Sequence, residues 1–187
     1  MKKQLATWIL QRLGWTLVGA APSVPKCVFI FAPHTSNWDF IVMYLAKIAK
    51  GVNVNFLGKH TLFRWPYGWF FRWLGGIPVV RHEKHNVVDD SIHAFAQNAH
   101  LWLAMAPEGT RSKTDYWRSG FYHIAVGAKV PVQLCFLDTT KRELGLGPVI
   151  ELCGNIEQDF ETLRNFYGAK RGIKAELAST IQPRKQP

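Results

Sequence analysis

At 187 residues and 48% hydrophobic content, the chain is long enough to bury one domain core and too apolar to be disordered. Lys and Arg number 23 against 13 Asp and Glu, a formal net charge of +10 that points to nucleic acid, an anionic membrane or a phosphorylated substrate. No uncharged apolar stretch approaches the ~18 residues that cross a bilayer, and the widely spaced Cys27, Cys135 and Cys153 offer neither metal-ligand spacing nor an even disulfide set.

In chain order, Leu5, Trp8, Ile9 and Leu13 form an apolar stripe that predicts a helix from Lys3 to Leu13, lying on lipid or packed on the domain, with Arg12 snorkelling at its edge. Gln4, Gln11 and Arg12 break any cleavable signal in this region. "KCVFIFA" reads as a buried strand, and a helix is expected from Asn37 to Lys50, stopped by Gly51. "VNFLG" and "GIPVV" read as strands on either side of an aromatic segment that Pro66 interrupts. "DDSIHAFAQNAH" predicts a helix capped by Asp89 or Asp90, and "LWLAMA" a strand. A helix from Tyr116 to Ala128, strands in "VPVQLCFLD" and "ELGLGPVIEL", and a helix from Glu157 to Tyr167 complete the series.

Strands alternating with helices imply an α/β fold: one domain with a mixed, largely parallel sheet flanked by helices. We divide the chain into an amphipathic lead-in (1–24), a main domain (25–180) and a basic, frayed tail (181–187). Both polar clusters, "PHTSNWD" and "PEGTRS", follow strands directly, where ligands bind in sheets of this kind.

The basic charge is unevenly spread. No acidic residue lies between Asp39 and Glu83, while Lys47, Lys50, Lys59, Arg64, Arg72 and Arg81 do. That gap holds Phe63, Trp65, Tyr67, Trp69, Phe70, Phe71 and Trp73. Rings this crowded do not suit one base per ring, and Trp and Tyr mixed with Arg and Leu favour a membrane interface over nucleic acid. A core helix hairpin is the plainer alternative.

His34 and Asp39 stand five residues apart after a strand. With 7 His among 187 residues and a similar number of Asp, chance supplies roughly 0.2 such pairs, and His85 with Asp90 repeats the spacing in a charged segment. Asp39 could serve only a helix cap, through the S-x-x-D pattern of Ser36 and Asp39. Alternatively, Asp39 orients the imidazole of His34, whose other nitrogen takes a proton from an attacking hydroxyl.

Four segments decide between these readings by their company. "HTSNWD" resembles the H-x-x-x-x-D block of the glycerolipid acyltransferase superfamily, which includes bacterial 1-acylglycerol-3-phosphate acyltransferases. "GGIPVVR" (75–81) looks like its second block, "APEGTRS" its third and "VPV" (130–132) the core of its fourth, all in order over residues 26–137. The resemblance implies transfer of a fatty acyl group from acyl-CoA or acyl carrier protein to a lysophospholipid hydroxyl, in phospholipid synthesis, with no other cofactor and no metal. It implies His34 as base and Asp39 as its orienter. Arg81, Glu108, Gly109, Thr110 and Arg111, with Arg118, are expected to hold the acceptor phosphate; Arg81 and Arg111 bring planar bidentate donors. Glu108 accepts from the acceptor hydroxyl or pairs with Arg111. Asp115 and Trp117 fall where an acceptor would bind and leave its identity open: lysophosphatidic acid, another lysophospholipid or an aminolipid. Trp8, Phe63, Trp65, Trp69, Phe70 and Trp73 are the expected membrane and acyl-chain contacts. They would hold the protein peripherally on the inner face of the cell membrane, without a nucleic-acid partner. The rival reading is a silent basic-aromatic binding module.

Overall fold

The computed structural model describes residues 1–79 and 84–184. Seven strands form one sheet in the order β1-β7-β6-β2-β5-β3-β4. They are β1 (Thr16–Val18), β2 (Lys26–Ala32), β3 (Asn55–Lys59), β4 (Gly76–Val79), β5 (Leu101–Met105), β6 (Val132–Asp138) and β7 (Glu143–Ile150). Every pairing is parallel except β6 with β7. Parallel neighbours require crossovers, which run through α2 (Asn37–Lys50), α3 (Gly68–Trp73), α4 (Lys84–Gln97) and α5 (Gly120–Ala128), while α1 (Lys2–Arg12) precedes the first strand and α6 (Ile156–Tyr167) follows the last.

β2 is flanked by β5 and β6, and it is buried on both faces, which explains its unbroken apolar run. Strand alternation sends Val28, Ile30 and Ala32 into one core with Phe95 of α4, Phe121 and Ile124 of α5 and Phe160 and Leu163 of α6. Cys27, Phe29 and Phe31 point the other way, against Leu10 of α1 and Val42 of α2. Cys27 and Cys135 are buried free thiols whose pKa values burial pushes up, Cys27 to about 12; they behave as small hydrophobes.

The expected fold class holds, with differences at its margins. α1 is fastened to the domain by Ala6 and Leu10, while Leu5, Trp8 and Leu13 of the expected stripe are exposed. Arg12 lies 5.3 Å from the Trp8 ring, a cation–π contact in place of free snorkelling. After α1 the chain adds β1, paired with β7, which three residues were too short to announce. α4 begins at Lys84, so Asp89 and Asp90 are exposed mid-helix residues and not its cap. α5 begins at Gly120, because Trp117 N–H donates to Gln182 O and Arg118 N–H to Pro107 O in an ordered loop. The same contact, with a Trp117–Pro183 bridge, docks residues 182 and 183 of the expected frayed tail onto the domain. Among the described residues no helix is long and apolar enough to cross a membrane.

Candidate active site

The carboxyl ends of β2 and β5 are adjacent, and each runs straight into one polar cluster. The peptide before Pro33 is cis, and the chain turns there from β2 into His34. Ser36 caps α2, its Oγ accepting the Trp38 N–H at 3.3 Å. Asp39, fully buried, lies in the first turn, and its Oδ2 accepts the backbone N–H groups of Thr35 (2.6 Å) and Ser36 (2.7 Å). An anion at a helix N-terminus is favoured there by the free N–H groups and the helix dipole. The cap therefore holds the carboxylate under the imidazole, with Nδ1 of His34 3.5 Å from Oδ2 of Asp39.

That contact is close but not yet a hydrogen bond. His34 Nδ1 and Asp39 Oδ1 are both buried without a hydrogen-bond partner among the described residues, while Oδ2 is committed to the cap. Catalytic hydrogen bonds commonly run long until substrate tightens them. His34 is 19% exposed at its side chain, enough for a hydroxyl to reach its outer nitrogen.

Glu108 comes from the β5 side. Its Oε1 accepts the His34 backbone N–H at 3.1 Å, which ties the two polar clusters together. Its carboxyl is 2% exposed and its pKa is pushed up to about 7, first by burial, with Asp39's charge adding and the His34 N–H opposing. The alternative Glu108–Arg111 ion pair is not formed, and Arg111 is exposed. Glu108 also lines a cleft of about 100 Å³ with Trp117, Tyr167, Lys170 and Arg171. Glu108 Oε2 and Trp117 Nε1 are buried there without partners among the described residues.

Gly109 has φ +65°, and a Cβ at that position would meet the Arg118 side chain at 2.3 Å. Only glycine accepts both the backbone and the close approach, and the Arg118 stem is thereby laid across the turn. Thr110 Oγ1 accepts the Ser112 N–H within the same turn. The structure thus brings His34, Asp39 and Glu108 together, and Gly109 with Arg118. Arg111 and Arg118 are exposed, and Arg81 lies outside the described residues.

A family model described as Acyltransferase matches residues 20–136, which include both clusters. The chain belongs to the acyltransferase family. This acyltransferase is 26% identical over 133 residues to the 1-acyl-sn-glycerol-3-phosphate acyltransferase of Escherichia coli (strain K12). The match covers 67% of this chain and 52% of that protein, so the chain spans about half the length of this curated relative. Its fold is shared with the crystal structure of the 1-acyl-sn-glycerophosphate (LPA) acyltransferase from Thermotoga maritima, with a TM-score of 0.60 at 20% identity over 89% of this chain and 73% of that one.

Burial sorts the aromatic residues of this acyltransferase. Trp117 is 1% exposed and packs on Phe121, Phe160 and Tyr167, at the base of the cleft that Glu108 also lines. Phe63, one of the expected membrane or acyl-chain contacts, is instead buried (7% exposed) and packs on Phe71 under the Arg72 guanidinium. By contrast Trp8, Trp65, Trp69, Phe70 and Trp73 are exposed, together with Trp38 and Ile41 on α2 beside His34. Lys47 is also internal: its Nζ donates to Val54 O and Leu74 O, and burial lowers its pKa.

Sequence reasoning passed over Thr35. It is 1% exposed, its N–H caps Asp39, and its Oγ1 accepts the Lys174 N–H at 3.1 Å. Its place inside "HTSNWD" was a signal. Its partner 139 residues away had none.

Proposed function

We infer that the protein transfers a fatty acyl group from a thioester donor, acyl-CoA or acyl carrier protein, to the free hydroxyl of a lysophospholipid, foremost 1-acylglycerol-3-phosphate. The observation that carries this reading is the His34–Asp39 contact at the carboxyl end of the central strand, clamped by Glu108 from the neighbouring strand. Asp39 faces Nδ1 of His34, so Nε2 is the nitrogen left to take the hydroxyl proton. The hydroxyl oxygen attacks the thioester carbonyl, the tetrahedral intermediate expels the thiolate, and the imidazolium returns its proton to that sulfur. No protein nucleophile is needed.

Exposed Arg111 and Arg118, with Arg81, offer fork-shaped donors to the acceptor phosphate. Glu108 holds the His34 loop, and its unpartnered Oε2 is free to meet the acceptor hydroxyl. Exposed aromatics on α1, α3 and the start of α2, with a net charge of +10, support peripheral attachment to an anionic membrane, on the inner face of the cell membrane. The acyl chain then lies between α2 and the aromatic segment, partly covered by lipid.

The test is incubation of purified protein with acyl-CoA or acyl carrier protein and a panel of lyso-acceptors, read by lipid mass spectrometry. A diacyl product from lysophosphatidic acid above all other acceptors is expected. Preference for another lysophospholipid or an aminolipid would move the acceptor assignment, and no product with any pair would contradict the reading.

A further inference from the structure

The edge of the sheet that carries His34 is built from the carboxyl ends of β3, β5, β2 and β6, in that spatial order. Beyond β3 comes the aromatic segment, with Trp65, Trp69 and Trp73 exposed. Beyond β6 the character is opposite. The β6–β7 turn carries Lys141 and Arg142, and the loop after α6 carries Lys170, Arg171 and Lys174. The two segments are joined, since Thr139 N–H and Oγ1 both donate to Arg171 O. Both lie past residue 136, where the family match ends.

This basic rim is fastened to the catalytic loop. Thr35 Oγ1 accepts the Lys174 N–H, and a Cβ on Gly172 would stand 2.6 Å from that oxygen, so the loop sits flush against the residue next to His34. Its charge is also uncompensated. None of the five cations forms an ion pair among the described residues. Asp138 beneath them is buried and accepts the backbone N–H groups of Thr140 and Arg171, and the buried Glu108 lines the same cleft as Lys170 and Arg171. Lys170 is held over the Phe136 ring at 4.1 Å, and Arg171 donates through Nη1 to carbonyls at the end of α6. Arg171 and Lys174 are exposed. Glu176 is the exposed acid of the adjoining 3₁₀ turn (Ala175–Leu177).

We propose that this rim binds the phosphate-bearing end of the acyl donor. The proposal rests on the transferase reading given above and adds the place where the donor lies. Acyl-CoA and acyl carrier protein share a phosphopantetheine arm, with thioester at one end and phosphate at the other. Adjacent strands are ~4.8 Å apart, and the arm spans several such spacings. With the thioester at His34 and the acyl chain toward the aromatic end, the phosphate falls past β6, on the rim. Arg111 and Arg118 leave from β5 on the other side of β2 from the rim, while Lys170 and Arg171 line the cleft that reaches Glu108. The geometry also gives the leaving thiol a route to water, away from the lipid-facing end.

The experiment compares wild type with Arg171→Ala/Lys174→Ala as full chains, by steady-state kinetics and by direct binding of free coenzyme A and of acyl carrier protein. The expected result is a donor KM raised on the order of tenfold, more at low salt, with the acceptor KM and vesicle binding unchanged. Arg171→Lys/Lys174→Arg should restore the donor KM. A rise with acyl-CoA alone assigns the rim to coenzyme phosphates; a rise with both donors assigns it to the shared arm. An unchanged donor KM, or a rise only in the acceptor KM, overturns the proposal while leaving the transferase intact. Coenzyme A binding that the double variant loses, in a protein with no transferase activity, would keep the rim and sink the function.

Discussion

His34 and Asp39 can be a catalytic pair only because a third requirement, helix capping, places them. Oδ2 of Asp39 serves the cap and is also the oxygen that lies 3.5 Å from Nδ1 of His34. Capping and the approach to the imidazole are therefore one arrangement, so the cap is compatible with the orienting role we infer for Asp39. Glu108 supplies a pH dependence. Its ordinary carboxyl value is 4.5, and in the fold it rises to about 7 through burial. Between these values the folded chain holds a proton that the unfolded chain has released. The resulting stabilisation is complete below about 4.5 and is lost as pH rises through about 7, at a cost of a few kcal/mol. Glu108→Gln keeps an acceptor for the His34 N–H and removes the titration. Urea unfolding should show the variant gaining on wild type between pH 5 and pH 8. An unchanged difference across that range would contradict the buried-acid account.

At the scale of elements, α1 and α2 show how far pattern reading reaches. The α2 limits were legible from Ser36 to Gly51, because cap, period and stop coincide. The inward face of α1 was not. Its expected apolar stripe points outward, since the domain needed Ala6 and Leu10 while Leu5, Trp8 and Leu13 were left free. Periodicity finds a stripe and cannot tell lipid from core. β1 and the docking of Lys174 on Thr35 were invisible because both depend on partners more than 100 residues away. Leu10→Ala should cost about 2–5 kcal/mol in a denaturant midpoint series, and Trp8→Ala less than about 0.5 kcal/mol. Equal losses would mean that α1 is held differently. Ser36→Ala should cost about 1 kcal/mol and slow turnover, as the cap loosens under Asp39. A stable Ser36→Ala protein with full activity would separate the cap from the site.

Across the whole molecule, one sheet edge grades from exposed tryptophans, through the His34 and Glu108 loops, to an unpaired basic rim. The net charge announced an anionic partner, but only the strand order sets Arg111 and Arg118 on the β5 side of His34 and the basic rim on the β6 side. The membrane attachment we propose belongs to the aromatic end. Co-sedimentation with anionic vesicles should weaken with added salt, as the attraction is screened over roughly 10 Å. It should fall further in Trp65→Ser/Trp69→Ser/Trp73→Ser. Binding indifferent to both changes would place the membrane elsewhere. The central claim is that His34 is the base, and the acyl-transfer rate tests it directly. In a lipid mass-spectrometric assay, His34→Ala should lose about 10²–10⁴-fold relative to wild type, while His85→Ala keeps the wild-type rate. Product formed by His34→Ala at the wild-type rate, or lost only in His85→Ala, would contradict the account.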